Sequence, residues 1–254
     1  MKLSLFALLT ASVSAQFEKR IVGGSTAATG QFPYQVSIQT SSHACGGSII
    51  DSQNILTAAQ CVNDREASHL RVRVGSAQHA SGGKLFQVAK ITQHSDYNAN
   101  TLENDIAVLR LQDNLEFGSN IAAVELPSSE LDTSATGAKC SVTGWGTTSH
   151  GGERLPANLL FAYLNIIDHE SCVKAYDSYH PKVNDMMVCA GVPGGGKGAC
   201  QEDTGGPLVD QSSKKQVGIV SWSRGCGQHA YPGVYTSTAA YAAWIQETIL
   251  LEIL

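Results

Sequence analysis

Short runs of alternating or continuous apolar residues, separated by turn-forming clusters, recur along the chain after residue 20. Runs of this length that are rich in β-branched and aromatic residues predict strands when turn residues bound them. No helical repeat, low-complexity tract or coiled-coil heptad competes with this pattern. The sequence therefore predicts an all-β protein. Strands are expected at Gln35 to Gln39, Leu70 to Val74, Ile106 to Leu111 and Gln216 to Trp222, with a turn at Ser81-Gly82-Gly83.

Two segments carry helical signals instead. Asp168 is a good N-cap residue and predicts a helix over 168–176. Ser/Thr caps also precede a segment that runs from Ser237 to about Leu250. Apolar residues at helical spacing place one face of that segment against the core. This face comprises Tyr241, Trp244, Ile245 and Ile249.

The first fifteen residues have the pattern of a secretory signal peptide. Met1-Lys2 supplies the positive charge, Leu3 to Leu9 the apolar run, and Ser12 to Ala15 the small residues before a cleavage site. The run is too short to span a bilayer, and no later stretch reaches eighteen apolar residues. We expect a secreted, extracellular protein that is cleaved after Ala15 and has no membrane partner.

Composition narrows the class of function. The 254 residues contain 17 Lys plus Arg and 22 Asp plus Glu, a formal net charge of −5. Removal of residues 1–20 takes away three basic residues and one acidic residue, so the remaining chain carries −7. This acidic balance argues against binding to nucleic acid or to an anionic membrane surface. Only 15% of residues are charged and 25 are Gly, which favours compact β structure over disorder.

Two motifs carry a resemblance to a known family. Cys200 to Pro207 and Thr57 to Cys61 resemble stretches that read C-x-G-D-S-G-G-P and T-A-A-H-C in the chymotrypsin/trypsin family of serine proteases. The family's His is Gln60 here, its Gly is Glu202, and its Ser is Thr204. Further matching segments are Ile21 to Gly24, Cys45 to Ser48, Asn104 to Leu109, Gly144 to Gly146, Ser221-Trp222 and Pro232 to Tyr235.

The resemblance implies a fold of two packed Greek-key antiparallel six-stranded β-barrels with a C-terminal helix. It covers residues 21–254, with an N-terminal barrel of about 21–126 and a C-terminal barrel of about 127–254, linked by the polar stretch Pro127 to Gly137. Residues 16–20 would then be a propeptide, cleaved after Arg20. The freed ammonium of Ile21 is expected to pair with Asp203 and order the nearby loops. Retention of this activation switch is consistent either with a function for the mature surface or with inheritance alone.

The chemistry of this family needs a hydroxyl nucleophile, a base, an orienting carboxylate and donors for the oxyanion. Asp105 matches the carboxylate. Gln60 cannot take a proton at neutral pH, so general base catalysis is lost at that position. Thr204 keeps the hydroxyl but adds a methyl group on Cβ, and Glu202 places a carboxylate where the oxyanion would form. The resemblance therefore predicts a degenerate site.

Another histidine would have to supply the base if the site were active. None of the eight lies in a stretch that resembles the catalytic motif, and His43 is nearest by resemblance. We expect a structural hydrogen-bonding role for His43, because a base must lie within hydrogen-bond reach of the nucleophile. The eight are His43, His69, His79, His94, His150, His169, His180 and His229.

The resemblance also assigns a specificity pocket. Gly198 matches its base, where trypsin-like members carry Asp, and Ser223 and Gly233 match its walls. Without an acidic residue at its base, the pocket suits an apolar or aromatic side chain. The segment from Ser221 to Ser223 is expected to offer backbone groups to an extended peptide.

Seven cysteines suit a secreted protein, and six of them allow fifteen pairings. The resemblance selects Cys45–Cys61, Cys172–Cys189 and Cys200–Cys226, and leaves Cys140 without a partner. Two interpretations of Cys140 stay open, a buried thiol that behaves as a small apolar residue and an intermolecular disulfide.

These features favour a secreted, catalytically inactive serine protease homologue, a pseudoprotease, that acts as a monomer by binding proteins or peptides. The partner would be a protease, an inhibitor or a protease substrate. No metal or other cofactor is expected, because the loop Ser76 to Gly83 lacks acidic ligands and no CxxC or HExxH motif occurs. One alternative is a weakly active chymotrypsin-like endopeptidase. Another is a decoy that sequesters protease inhibitors.

Overall fold

Thirteen antiparallel strands form the framework of the protein within the described residues. The structure is a computed structural model that describes residues 21–251. The predicted signal peptide, the propeptide and Arg20 lie outside the described residues. The strands are β1 (Ser25–Thr26), β2 (Gln35–Gln39), β3 (His43–Ile49), β4 (Asn54–Thr57), β5 (Arg71–Val74), β6 (Lys84–Gln93), β7 (Ala107–Leu111), β8 (Lys139–Gly144), β9 (Leu160–Ile167), β10 (Met187–Gly191), β11 (Pro207–Asp210), β12 (Gln216–Trp222) and β13 (Gly233–Ser237).

The strands form two closed six-stranded barrels. The first has the strand order β2-β3-β4-β7-β6-β5 and the second has the order β8-β9-β10-β13-β12-β11, closed by the pairing of β11 with β8. Each barrel has a separate apolar core. In β9, buried and partly exposed residues alternate, because successive side chains of a strand point to opposite faces. The fold class predicted from the sequence is confirmed.

Polar side chains join the two barrels. Every residue of β2 is buried, including the polar residues Gln35, Ser37 and Gln39. Gln35 Oε1 accepts a hydrogen bond of 2.5 Å from Thr143 Oγ1, and Ser48 Oγ donates one of 2.6 Å to Gln216 Oε1. Buried polar groups need such partners, so these contacts help to fix how the barrels meet.

Both ends of the described chain cross from one half to the other. Strand β1 pairs with β9 of the second barrel, although it precedes the first. Helix α2 (Ala242–Leu251) follows the second barrel, yet Tyr241 and Ile245 pack in the core of the first. A division near residue 126 therefore separates the two barrels. However, β1 and α2 each pack with the barrel on the other side of that division.

One predicted helix begins later than expected, and the other is as expected. Ser237, the predicted start of the second helix, is the last residue of β13, and its Oγ accepts a hydrogen bond of 3.3 Å from Ala240 N. Helix α2 begins only at Ala242. Helix α1 (His169–Ala175) is capped by Asp168, whose Oδ1 accepts from Ser171 N at 2.8 Å. Between residues 21 and 251, no helix is long and apolar enough to cross a membrane.

Three disulfides join residues 16, 17 and 26 positions apart in the described chain. They join Cys45 to Cys61, Cys172 to Cys189, and Cys200 to Cys226. Cys140 in β8 is a free and fully buried thiol, and burial raises its pKa to about 12. The structure therefore places Cys140 as a small apolar residue of the second core, where it cannot reach another molecule.

Candidate functional site

The candidate site lies where the two barrels meet. Gln60 lies in a 3₁₀ turn that follows β4, and the next residue, Cys61, is tied to β3 by its disulfide. Asp105 precedes β7 and is fully buried. Thr204 precedes β11, so the first barrel supplies Gln60 and Asp105 and the second supplies Thr204.

The Asp105 carboxylate accepts hydrogen bonds from both barrels. Gln60 donates twice, from its backbone N to Oδ1 at 2.9 Å and from Nε2 to Oδ2 at 2.5 Å. Ser221 Oγ donates to Oδ2 at 2.6 Å. Burial raises the pKa of Asp105, and these donors oppose that rise by stabilising the charged form. The carboxylate thus has the partners that a buried charge requires.

Both hydrogens of the Gln60 side-chain amide are used by this arrangement. Nε2 donates to Asp105 and also to the carbonyl oxygen of Ser221, at 3.0 Å. Only Oε1 remains, and an amide oxygen accepts hydrogen bonds without taking a proton at neutral pH. Within the described residues, no hydrogen bond joins the side chains of Gln60 and Thr204.

Thr204 is partly exposed and lines a cavity beside the site. Its carbonyl oxygen accepts a hydrogen bond of 2.8 Å from Gly46 N, which fixes its backbone to the first barrel. Thr204 therefore lines the cavity on a backbone that the first barrel holds. The β-branched side chain has fewer rotamers than Ser would have.

Glu202 has backbone and side-chain properties that are unusual for its position. Its φ of +69° lies in the left-handed region, which favours Gly over residues with a Cβ. Its carboxyl group is partly buried, and burial raises its pKa. A carboxylate at this position opposes the formation of negative charge beside it.

His43 is held in a structural role. Its Nε2 donates to the carbonyl oxygen of Glu202 at 3.0 Å, so its Nδ1 accepts from Ser37 Oγ at 2.8 Å. Burial lowers the pKa of His43 to about 4, which keeps the ring neutral. Both ring nitrogens are occupied, and neither contacts Thr204.

Asp203 lies behind the site in a fully buried pocket. Its carboxylate accepts hydrogen bonds from Gly146 N at 2.6 Å and Cys200 N at 2.9 Å. A Cβ at Gly144 would lie 2.0 Å from Asp203 Oδ1, so this close approach requires Gly. Burial raises the pKa of Asp203 to about 7. Ile21 is buried in the same barrel core, but its nitrogen is an uncharged amide while the chain continues to Arg20.

Two neighbouring cavities occupy the region assigned to the specificity pocket. One of about 170 Å³ is lined by Thr204, Ser223 and Gly233. The other, of about 250 Å³, is also lined by Ser223 and Gly233, and Gly198 belongs to its wall alone. Gly198 therefore lines the larger cavity and not the one that contains Thr204. No acidic side chain lines either cavity within the described residues.

Comparisons with known proteins agree with this arrangement. A family model described as Trypsin matches residues 21–245. The chain belongs to the trypsin family. Trypsin delta and Trypsin gamma of Drosophila melanogaster are each 44% identical to it over 231 residues, which is 91% of this chain and 88% of theirs. Trypsin epsilon of Drosophila erecta is 43% identical over 234 residues, covering 92% of this chain and 89% of that relative.

Sequence reasoning about this family missed the role of Ser221. The Ser221-Trp222 pair contributes to the resemblance, but only the structure shows the Ser221 hydroxyl on Asp105. The strained backbone at Glu202 was also not predicted. Its only signal in the sequence is that the family has Gly at this position. Across residues 21–251, no group of three or more His, Cys, Asp or Glu side chains is placed to hold a metal ion.

Proposed function

We propose that the mature chain is a secreted, catalytically inactive member of the trypsin family that acts by binding a protein or an extended peptide. The contact between Gln60 Nε2 and Asp105 Oδ2 supports this most strongly. It satisfies the buried carboxylate with a group that cannot shuttle a proton. Peptide hydrolysis by this route needs a base that takes the nucleophile's proton and returns it to the leaving amine.

Two further features reinforce the loss of the base. The methyl group of Thr204 restricts the rotation of its hydroxyl, and Glu202 brings a carboxylate to the place where the oxyanion would form. Loss of one oxyanion donor alone costs about 100- to 1000-fold in rate. Damage to several members of one catalytic unit is not additive, because the unit fails as a whole.

Binding is supported by what surrounds the site. Ser223 directly follows the last residue of β12, beside an uncharged cavity of about 170 Å³ that suits an apolar or aromatic side chain. Both edges of β12 are paired, with β11 and β13, so an extended peptide would pair instead with backbone groups of the segment that continues the chain at Ser223, and place one side chain in the cavity. Protease inhibitors present the same type of segment, so the role of an inhibitor decoy uses the same surface.

The test uses the full chain cleaved after Arg20 and peptide substrates with Tyr, Phe or Leu before the scissile bond. We expect no turnover above that of a Thr204→Ala variant prepared in parallel. Turnover that Thr204→Ala abolishes would establish the weakly active endopeptidase instead. Binding is measured with a protein protease inhibitor whose reactive loop carries Tyr or Phe, and Ser223→Pro is expected to weaken it by removing a backbone donor.

A further inference from the structure

Arg224 is an exposed cation at the rim of the cavity that contains Thr204. Ser223 and Gly225 both line that cavity, whereas Arg224 between them does not. Ser223 Oγ donates a hydrogen bond of 2.5 Å to the carbonyl oxygen of Gly225, and this bond stabilises the turn that contains Arg224. The chain therefore presents a positive charge directly beside the backbone groups that are available to an extended segment.

Aromatic side chains hold the Arg224 guanidinium in place. Its Cζ lies 4.5 Å from the ring centroid of Tyr231 and 5.5 Å from that of Tyr179, and Nη1 donates to the Tyr231 hydroxyl. The backbone N of Arg224 donates at 3.4 Å to the hydroxyl of the fully buried Tyr176. Tyrosine rings attract a guanidinium that lies over their faces. The side chain is therefore ordered before a ligand binds, which lowers the entropy cost of binding.

The same rings connect Arg224 to the cavity. Trp222 lines the cavity, and its ring stacks on that of Tyr179 with 6.4 Å between the centroids. The ring of Tyr176 meets that of Trp222 edge-on at 4.8 Å, and the Tyr176 hydroxyl donates at 2.6 Å to the carbonyl oxygen of Pro232. This packing fixes the position of the guanidinium relative to the cavity.

The positive charge of Arg224 is not neutralised by the protein. No ion pair between residues that the structure describes includes Arg224. The bond to Tyr231 uses one of the five N–H donors of the guanidinium, which leaves donors for a ligand. The chain as a whole has a formal net charge of −5, yet no acidic side chain among the described residues lines either cavity beside Arg224. A planar guanidinium with open donors matches the two oxygens of a carboxylate.

We propose that Arg224 binds an acidic side chain, Asp or Glu, of the same protein or peptide segment that places another side chain in the cavity. The inference rests on the proposed function and adds to it a contact outside the cavity. An extended segment rises about 3.3 Å per residue, so a residue a few positions from the inserted one reaches the rim at Arg224. A basic residue at that position is disfavoured, because like charges at an interface repel.

The test uses the full chain cleaved after Arg20 and a protein protease inhibitor whose reactive loop carries Tyr. Pairs of inhibitor variants carry either Glu or the isosteric Gln at one of the positions close to that Tyr, on either side of it, and calorimetry gives each dissociation constant. We expect one position at which Glu binds about fivefold more tightly than Gln, the upper end for an exposed ion pair. Arg224→Gln should remove that preference.

Lys139→Gln is the matched control. Lys139 Nζ also lies over a tyrosine ring, 4.1 Å from the centroid of Tyr163, but Lys139 lines neither cavity. Its replacement removes the same charge from the protein as Arg224→Gln does. The preference for Glu should therefore persist in Lys139→Gln, because the contact with Arg224 is local.

Three results would overturn this inference alone: equal binding of Glu and Gln at every position, a preference that persists in Arg224→Gln, or one that Lys139→Gln also removes. The inhibitor still binds in all three, so the proposed function stands. Absence of binding by every inhibitor variant would overturn both. If Arg224→Gln does not fold, Arg224→Lys replaces it. Lysine lacks the planar fork, so the preference should be smaller there than in the wild type, and an undiminished preference would contradict the inference.

Discussion

The side-chain amide of Gln60 donates a hydrogen bond of 2.5 Å to Oδ2 of the buried Asp105. This contact gives the buried carboxylate a donor, and the amide that makes it cannot take or return a proton at neutral pH. Ser221, from the other barrel, donates to the same oxygen at 2.6 Å. These contacts should stabilise the folded protein. Under the proposed function, Gln60 also leaves the site without a base. Both consequences can be measured.

Replacement of Gln60 by Leu should destabilise the protein by about 1–3 kcal/mol, the usual cost of removing a donor from a buried charged acceptor. The loss should be larger at neutral pH than near pH 4. The pKa of Asp105 is already raised by burial, and protonation relieves the need for the missing donor. Urea unfolding of the variant and of the wild type, at neutral pH and near pH 4, measures this difference in the free energy of unfolding. The control is Gln60→His, which restores an N–H donor and should recover most of the loss. Equal stability of Gln60→Leu and wild type would show that the contact contributes little.

Glu202→Gly should be more stable than Glu202→Ala by about 1 kcal/mol, because Ala keeps a Cβ at a φ of +69° whereas Gly adopts that conformation without strain. Both variants remove the carboxylate, so the comparison isolates the backbone. Thermal unfolding of the two variants provides the measurement. The reverse order of stability would show that the left-handed backbone at Glu202 is not strained.

Asp203 should make the stability of the uncleaved chain fall as pH rises. Its pKa of about 7 in the folded state exceeds the ordinary 3.8, so its contribution is fully present below about pH 4 and is lost as pH rises through 7. The effect is on the order of 1.4 kcal/mol for each pH unit within that window. Cleavage after Arg20 should reduce or reverse this dependence, since the expected ammonium of Ile21 favours the charged carboxylate.

Denaturant unfolding of the cleaved and uncleaved forms at pH 4.5 and 7.5 tests this prediction. Asp203→Asn is the matched control and should remove the difference in pH dependence between the two forms. Identical pH dependence of the two wild-type forms would mean that Ile21 and Asp203 do not form the activation pair.

Each of the four strands predicted from the sequence is found, because these strands have a clear local pattern, and β5 and β7 begin one residue later than predicted. Gln35–Gln39 and Gln216–Trp222 have the predicted bounds. The start of α2 was not predictable from sequence, since Ser237 has the chemistry of a helix cap but is paired within a barrel strand. The packing of Tyr241 and Ile245 against the opposite barrel was also hidden, because it depends on contacts between distant segments.

The candidate site was predictable only as far as residue identity determines chemistry. Gln60 cannot act as a base wherever it lies, and the resemblance to the family indicated its proximity to Asp105. The Ser221 hydroxyl on Asp105 and the position of Arg224 over two tyrosine rings depend on how side chains from different segments pack. No local sequence pattern encodes whether such a group has found a partner.

The central claim is that Gln60, Glu202 and Thr204 together disable an otherwise complete protease site. The most direct measurement is hydrolysis of a peptide substrate with Tyr before the scissile bond by the cleaved triple variant Gln60→His, Glu202→Gly, Thr204→Ser. We predict hydrolysis at least about 100-fold above that of the wild type and of each single variant. A folded triple variant that stays inactive, or a Gln60→His variant that matches its activity, would contradict the claim.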